Sequence, residues 1–150
     1  MKFHTDQSLD LYENSYICLF SCYENNYDIR KLQIKNKITN ECSEILLENN
    51  SIVLFSTSFN HKYLHKIILT TAQPLSTNKW LGITFRLSKT FVKFVDNIPY
   101  IYHSNKILRI ADNNEKINFF KYKSAENLNH EYTYPEIEYT ISKSDTLPII

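Results

Sequence analysis

The chain has one glycine and three arginines in 150 residues. It has no run of eighteen apolar residues, which excludes a membrane-spanning helix of ordinary length. It also lacks a charged start followed by an apolar stretch and a small-residue cleavage site, so no secretory signal is visible and an intracellular, cytoplasmic location is expected. Charge of one sign is missing too: 17 basic residues against 16 acidic ones leave +1, which removes any bulk electrostatic argument for a polyanionic partner. Cys18, Cys22 and Cys42 are an odd number at no familiar metal spacing. They read as structural thiols in a reducing compartment, not as a disulfide framework. No repeat, low-complexity linker or internal domain boundary breaks the chain.

What is present is enough for one globular domain, with 43% hydrophobic residues. The run from Tyr16 to Tyr23 is β-branched and aromatic and stops at Glu24-Asn-Asn26, which predicts a strand and a turn. Lys31-Leu-Gln-Ile-Lys35 alternates at period two and, with Glu44-Ile-Leu-Leu-Glu48, predicts a hairpin. Further strands are expected at Ile52–Phe55, Tyr63–Leu69 and Trp80–Leu87, with a loop between the last two over residues 70–79. Lys89–Val95 and Pro99–Tyr102 flank Asp96-Asn97 as another hairpin. Asp112 or Asn113 can cap a helix over residues 114–127 with Ile117, Phe120 and Ala125 on one side. Short strands with turn signals about every ten residues, and no helical alternation, predict an antiparallel barrel or jelly roll.

Four residues carry the chemistry. His4-x-Asp6 followed by a distant His65 supplies two imidazoles and one carboxylate, a set that holds ferrous iron on one face and leaves positions open. Arg86 comes twenty-one residues after His65. Lysine supplies fourteen of the seventeen positive charges, yet position 86 carries the planar fork that grips a carboxylate bidentately, four residues after the sole glycine. On a strand Gly82, Thr84 and Arg86 point one way while Ile83 and Phe85 point the other. His61 competes with His65 for the distal ligand role, but it sits in the polar Asn60-His-Lys62 stretch, whereas His65 leads into the apolar Ile67-Ile-Leu69.

Taken together, Lys2-Phe-His-Thr-Asp6, Leu47-Glu-Asn-Asn-Ser-Ile-Val-Leu-Phe55, His65-Lys-Ile and Ile83-Thr-Phe-Arg86 resemble the 2-oxoglutarate and Fe(II)-dependent dioxygenases, and the Thr-Phe-Arg ending resembles their AlkB-like branch. The resemblance implies a mainly β chain built on a double-stranded β-helix, or jelly roll. Residues 1–90 would form the core, and residues 91–150 a C-terminal extension containing a hairpin and one helix. It implies Fe(II) held by His4, Asp6 and His65, and 2-oxoglutarate as co-substrate with its distal carboxylate on Arg86 beside Thr84. Oxygen would be consumed, and the substrate would be a modified nucleobase, a protein side chain or a small molecule. Only three residues precede His4, so the implied core is incomplete at its N-terminus, and a homodimer or an upstream complementing segment is expected to cover the open edge. The competing expectation is a catalytically inactive oxygenase remnant, or a β-sandwich module used for binding or assembly.

Overall fold

The computed structural model describes residues 2–69 and 78–148; most of the expected 70–79 loop lies outside them. Among the described residues ten strands and two α-helices follow in the order β1 (Tyr16–Tyr23), β2 (Arg30–Asn36), β3 (Cys42–Leu47), β4 (Ser51–Ser56), α1 (Thr57–Lys62), β5 (Tyr63–Leu69), β6 (Trp80–Arg86), β7 (Val92–Val95), β8 (Ile98–Ile101), β9 (Arg109–Ile110), α2 (Asn113–Leu128) and β10 (Tyr139–Thr140). The chain is mainly β, and its larger sheets are antiparallel.

The first six strands form two three-stranded sheets, ordered β4-β1-β6 and β3-β2-β5. β1 pairs with β4 while β2 pairs with β3, so the ribbon β1–β2 is folded back on β3–β4 across both sheets. The ribbon β5–β6 then lies along the other side, β5 on β2 and β6 on β1. Alternation along β1 explains how the sheets meet: Ile17, Leu19, Ser21 and Tyr23 are buried while the residues between them are not. Leu19 from one sheet packs with Leu32, Ile34 and Leu47 from the other, and Val53, Tyr63, Ile67 and Trp80 close around them. This is the core.

The opposite face of β4-β1-β6 carries Ile52, Leu54, Cys18, Phe20, Cys22, Leu81, Ile83 and Phe85, with no charged residue among them. Ile52, Leu54, Leu81 and Phe85 are each more than half exposed. Among the described residues β5 and β6 pair along one edge only, apart from a single bridge between His4 and His65. Cys42 is exposed and Cys18 and Cys22 are half-buried, and all three are free thiols.

With one glycine, the tight turns fall to other residues. Asn14, Asp28, Asn40, Asn50, Asp96, Asn97 and Asn105 all take positive φ, the left-handed conformation that Asn and Asp tolerate through local hydrogen bonds. Asp96 and Asn97 together make the two-residue turn of the β7–β8 hairpin. Gly82 itself is not left-handed; a Cβ there would meet the Trp80 ring at 2.3 Å, so glycine at 82 makes room for the indole.

Helix α2 begins as its sequence predicts. Asp112 accepts from the Glu115 amide and the Glu115 side chain accepts from the Asp112 amide, a reciprocal cap. Its buried face differs from the expected one. Ile117 and Phe120 are more than half exposed, whereas Phe119 and Glu126 are buried, because the helix docks through polar bonds to the N-terminal segment and not through an apolar stripe. Lys37 reinforces this docking by donating to the Glu126 and Asn129 carbonyls at 2.7 and 2.9 Å, which satisfies the open carbonyls of the helix C-terminus.

Candidate metal centre

Three strand-level facts bring the four singled-out residues together. His4 exchanges backbone hydrogen bonds with His65 at 3.0 and 2.8 Å, which seats the His-x-Asp segment beside the start of β5. Arg86 lies at the end of β6, opposite Ile17 of β1. Asn60, in α1, brackets the Asp6 backbone: its Oδ1 accepts from the Asp6 amide at 2.9 Å and its Nδ2 donates to the Asp6 carbonyl at 2.7 Å. α1 exists because Ser56 caps it, accepting from the Phe59 amide.

The outcome is a cluster in which one ligand atom each from His4, Asp6 and His65 lies within 4.8 Å of the others. Among the described residues His61 does not join it; it stands in the last turn of α1. His65 Nε2 is 3.7 Å from Asp6 Oδ1, and the two His rings are 4.6 Å apart. His4 Nδ1 is 3.0 Å from the Lys2 carbonyl. That carbonyl holds Nδ1 as the protonated nitrogen and turns Nε2 into the free lone pair, the outer bond that ligating imidazoles usually make. Burial, above all, pushes His65 down to about 4, with Asp6 pulling up and the His4 and Arg86 charges pushing down. At neutral pH its imidazole is therefore uncharged, as ligation requires. Two imidazoles and a carboxylate with one ligand atom each this close together are a donor set that fits Fe(II) and its divalent neighbours.

Arg86 Nε donates to Asp6 Oδ2 at 2.9 Å, so the guanidinium is tied to the third member of the cluster. Its two terminal nitrogens bond to no other described residue. A cavity of about 430 Å³ opens here, lined by His4, Thr5, Asp6, Arg86, Ser88 and Lys123 among others. Thr84 shares the Arg86 face of β6 but does not line that cavity. Tyr23 and Trp80 sit at the far end of the β1–β6 pair, away from Arg86, and Tyr16 is exposed.

Sequence reading missed the groups that hold the segment in place. Asn127 Oδ1 accepts from both the amide and the hydroxyl of Thr5, at 2.8 and 3.2 Å. Buried Glu126 accepts from the Ser8 amide at 2.9 Å and from the Tyr134 hydroxyl at 2.6 Å; burial and that carboxylate push the Tyr134 hydroxyl well above its usual range. The only signal was spacing: Lys123, Glu126 and Asn127 recur at intervals of three and four, a polar helix face.

No protein-family model matches the chain, and no curated protein matches it.

Proposed function

We propose that the chain is the core of a 2-oxoglutarate and Fe(II)-dependent oxygenase, with His4, Asp6 and His65 holding the metal and the Arg86 face of β6, including Thr84, turned to the co-substrate. The observation that carries this reading is the approach of His4, Asp6 and His65 to within 4.8 Å of one another, with Arg86 bonded to the carboxylate of the set. The wound ribbon supports a jelly-roll core: six strands are divided between two antiparallel sheets, with the hairpin β2–β3 enclosed by the pair β1–β4.

Iron with 2-oxoglutarate and oxygen supplies oxidation of a C–H bond coupled to decarboxylation. The protein's own part is narrower. Asn60 fixes the Asp6 backbone, the Lys2 carbonyl sets the His4 tautomer, and Arg86 orients the Asp6 carboxylate. Burial keeps His65 uncharged. A modified nucleobase, a protein side chain or a small molecule would enter through the cavity of about 430 Å³ beside His4, Asp6 and Arg86.

Anaerobic titration with Fe(II) or Mn(II) tests the reading. About one ion per chain is expected, lost in His65→Ala and kept in His61→Ala; the reverse pattern, or no binding, overturns it. A second reading, a non-catalytic assembly module that pairs as a homodimer or takes up a complementing segment, is favoured by the uncharged outer face of β4-β1-β6. Light scattering of metal-free protein separates the two, because concentration-dependent association with no metal uptake supports the second alone.

A further inference from the structure

A second and larger cavity, of about 1160 Å³, adjoins the one beside His4, Asp6 and Arg86; Gln7, Asp10 and Leu11 line both. Most of its other walls come from residues beyond 90, outside the part of the chain that resembles the oxygenases. Buried Leu11, Leu108 and Phe119 make its floor. Val92 and Phe94, which alternation puts on one face of β7, stand beside them.

The charge around that floor is mainly negative. Asp10, Glu13, Glu136 and Asp145 line the cavity, all exposed, against Lys89 and His61. Among the described residues none of the first, second or fourth has a cation within 4.0 Å. Asp10 accepts from Ser88 Oγ at 2.7 Å and the Thr90 amide at 3.0 Å, and Asp145 from Thr140 Oγ1 at 2.5 Å, all neutral donors. Glu136 is 3.8 Å from Lys106, which Glu138 already holds. Recessed carboxylates focus an attractive field on a cation and repel a phosphate backbone. Size narrows the occupant further, because a small-molecule pocket ordinarily measures roughly 300–1,000 Å³. Among the described residues β7 pairs with β8 alone. Its free edge leaves backbone groups unpaired next to Val92 and Phe94, the arrangement by which an extended peptide adds as a strand.

We infer that the larger cavity binds an extended polypeptide segment in which apolar and basic residues alternate, apolar side chains on the floor and basic ones on the acidic rim. Asp10 stands where the two cavities meet, so the segment lies next to the triad, and of the three substrate classes a protein side chain is the one it brings there. Seating the peptide needs no metal; only the step from ligand to substrate rests on the oxygenase reading above.

Fluorescence anisotropy of the full chain tests it, with labelled Leu-Lys-Leu-Lys-Leu, with labelled Leu-Glu-Leu-Glu-Leu and with labelled single-stranded DNA, each with and without Mn(II). The lysine peptide is expected to bind in both conditions and the other two to bind neither. Glu13→Gln combined with Glu136→Gln removes two rim charges that hold no part of the fold, and is expected to weaken the peptide about threefold or more. Phe94→Ala, which leaves the rim intact, is expected to weaken it about fivefold or more. DNA bound more tightly than the peptide, spermidine bound in its place with the same response to the variants, or variants that bind the peptide as the parent does would each overturn the inference. Peptide binding without Mn(II) uptake removes the oxygenase reading and leaves the peptide site; Mn(II) uptake without peptide binding does the reverse.

Discussion

Arg86 Nε donates to Asp6 Oδ2 across eighty residues at 2.9 Å, a bond between the last residue of β6 and the carboxylate of the His-x-Asp segment. Asp6 keeps only 9% of its side-chain exposure and Arg86 keeps 43%. The pair is thus desolvated on one side only, and its worth lies between that of a surface and a buried ion pair. Arg86→Leu is expected to cost about 1–2 kcal/mol, and a double-mutant cycle with Asp6→Asn should show most of that cost as coupling. Urea melts of the four proteins measure it; additive losses would mean that the bond contributes nothing of its own.

Asn60 touches no proposed ligand atom, yet it is 1% exposed and makes two bonds to the backbone of Asp6. Asn60→Ala leaves a buried amide and a buried carbonyl without partners, at about 2–4 kcal/mol together. It is expected to lower both the melting temperature and Mn(II) affinity, because the carboxylate loses its platform. A variant that melts early but binds Mn(II) as before would confine Asn60 to folding.

The pH dependence of the metal-free chain follows from His65. An imidazole ordinarily titrates near 6.5, and here burial pushes it down to about 4. Between those values the unfolded chain binds a proton that the folded chain refuses, so stability falls as pH drops from about 6.5 towards 4 and is flat with respect to this group above 6.5. Thermal melts at pH 4.5, 5.5 and 7.5 read the slope. His65→Gln should flatten it; an unchanged slope would assign the acid sensitivity to other groups.

Gly82 and Trp80 offer a spectroscopic test of the interior. Trp80 is the only tryptophan, and its ring lies where a Cβ at 82 would go, with the Arg30 guanidinium 4.6 Å from its centre. Gly82→Ala must displace the indole. A red-shifted emission and a loss of about 1–3 kcal/mol, the usual range for overpacking, are expected. Emission identical to that of the parent would show that the ring is free to give way.

Much of the β architecture is legible in the residues themselves. Alternation at Lys31–Lys35 and the Asp96-Asn97 pair specify their hairpins locally, since register and turn type follow from neighbours within about ten positions. The Asp112 cap is equally local. What escaped the sequence is long-range. Nothing near Asn60, Glu126 or Asn127 announces that their amides and carboxylate will bind residues 5 to 8, because a polar side chain reads as solvated until its partner is known. The same blindness put Ile117 and Phe120 on the buried side of α2, where hydropathy alone would have them.

The bond between Thr5 and Asn127 joins residues 122 positions apart, and the His4–His65 bridge needs β5 already seated on β2. The segment that carries His4 and Asp6 is made before its partners and secured only after them. At a synthesis rate of about 5–20 residues per second, roughly 6–25 s separate Thr5 from its clamp, and pairings this distant in sequence are the slow ones in any fold. A nascent chain therefore carries His4 and Asp6 through the synthesis of every residue up to Asn127 before the bonds that seat their segment can form.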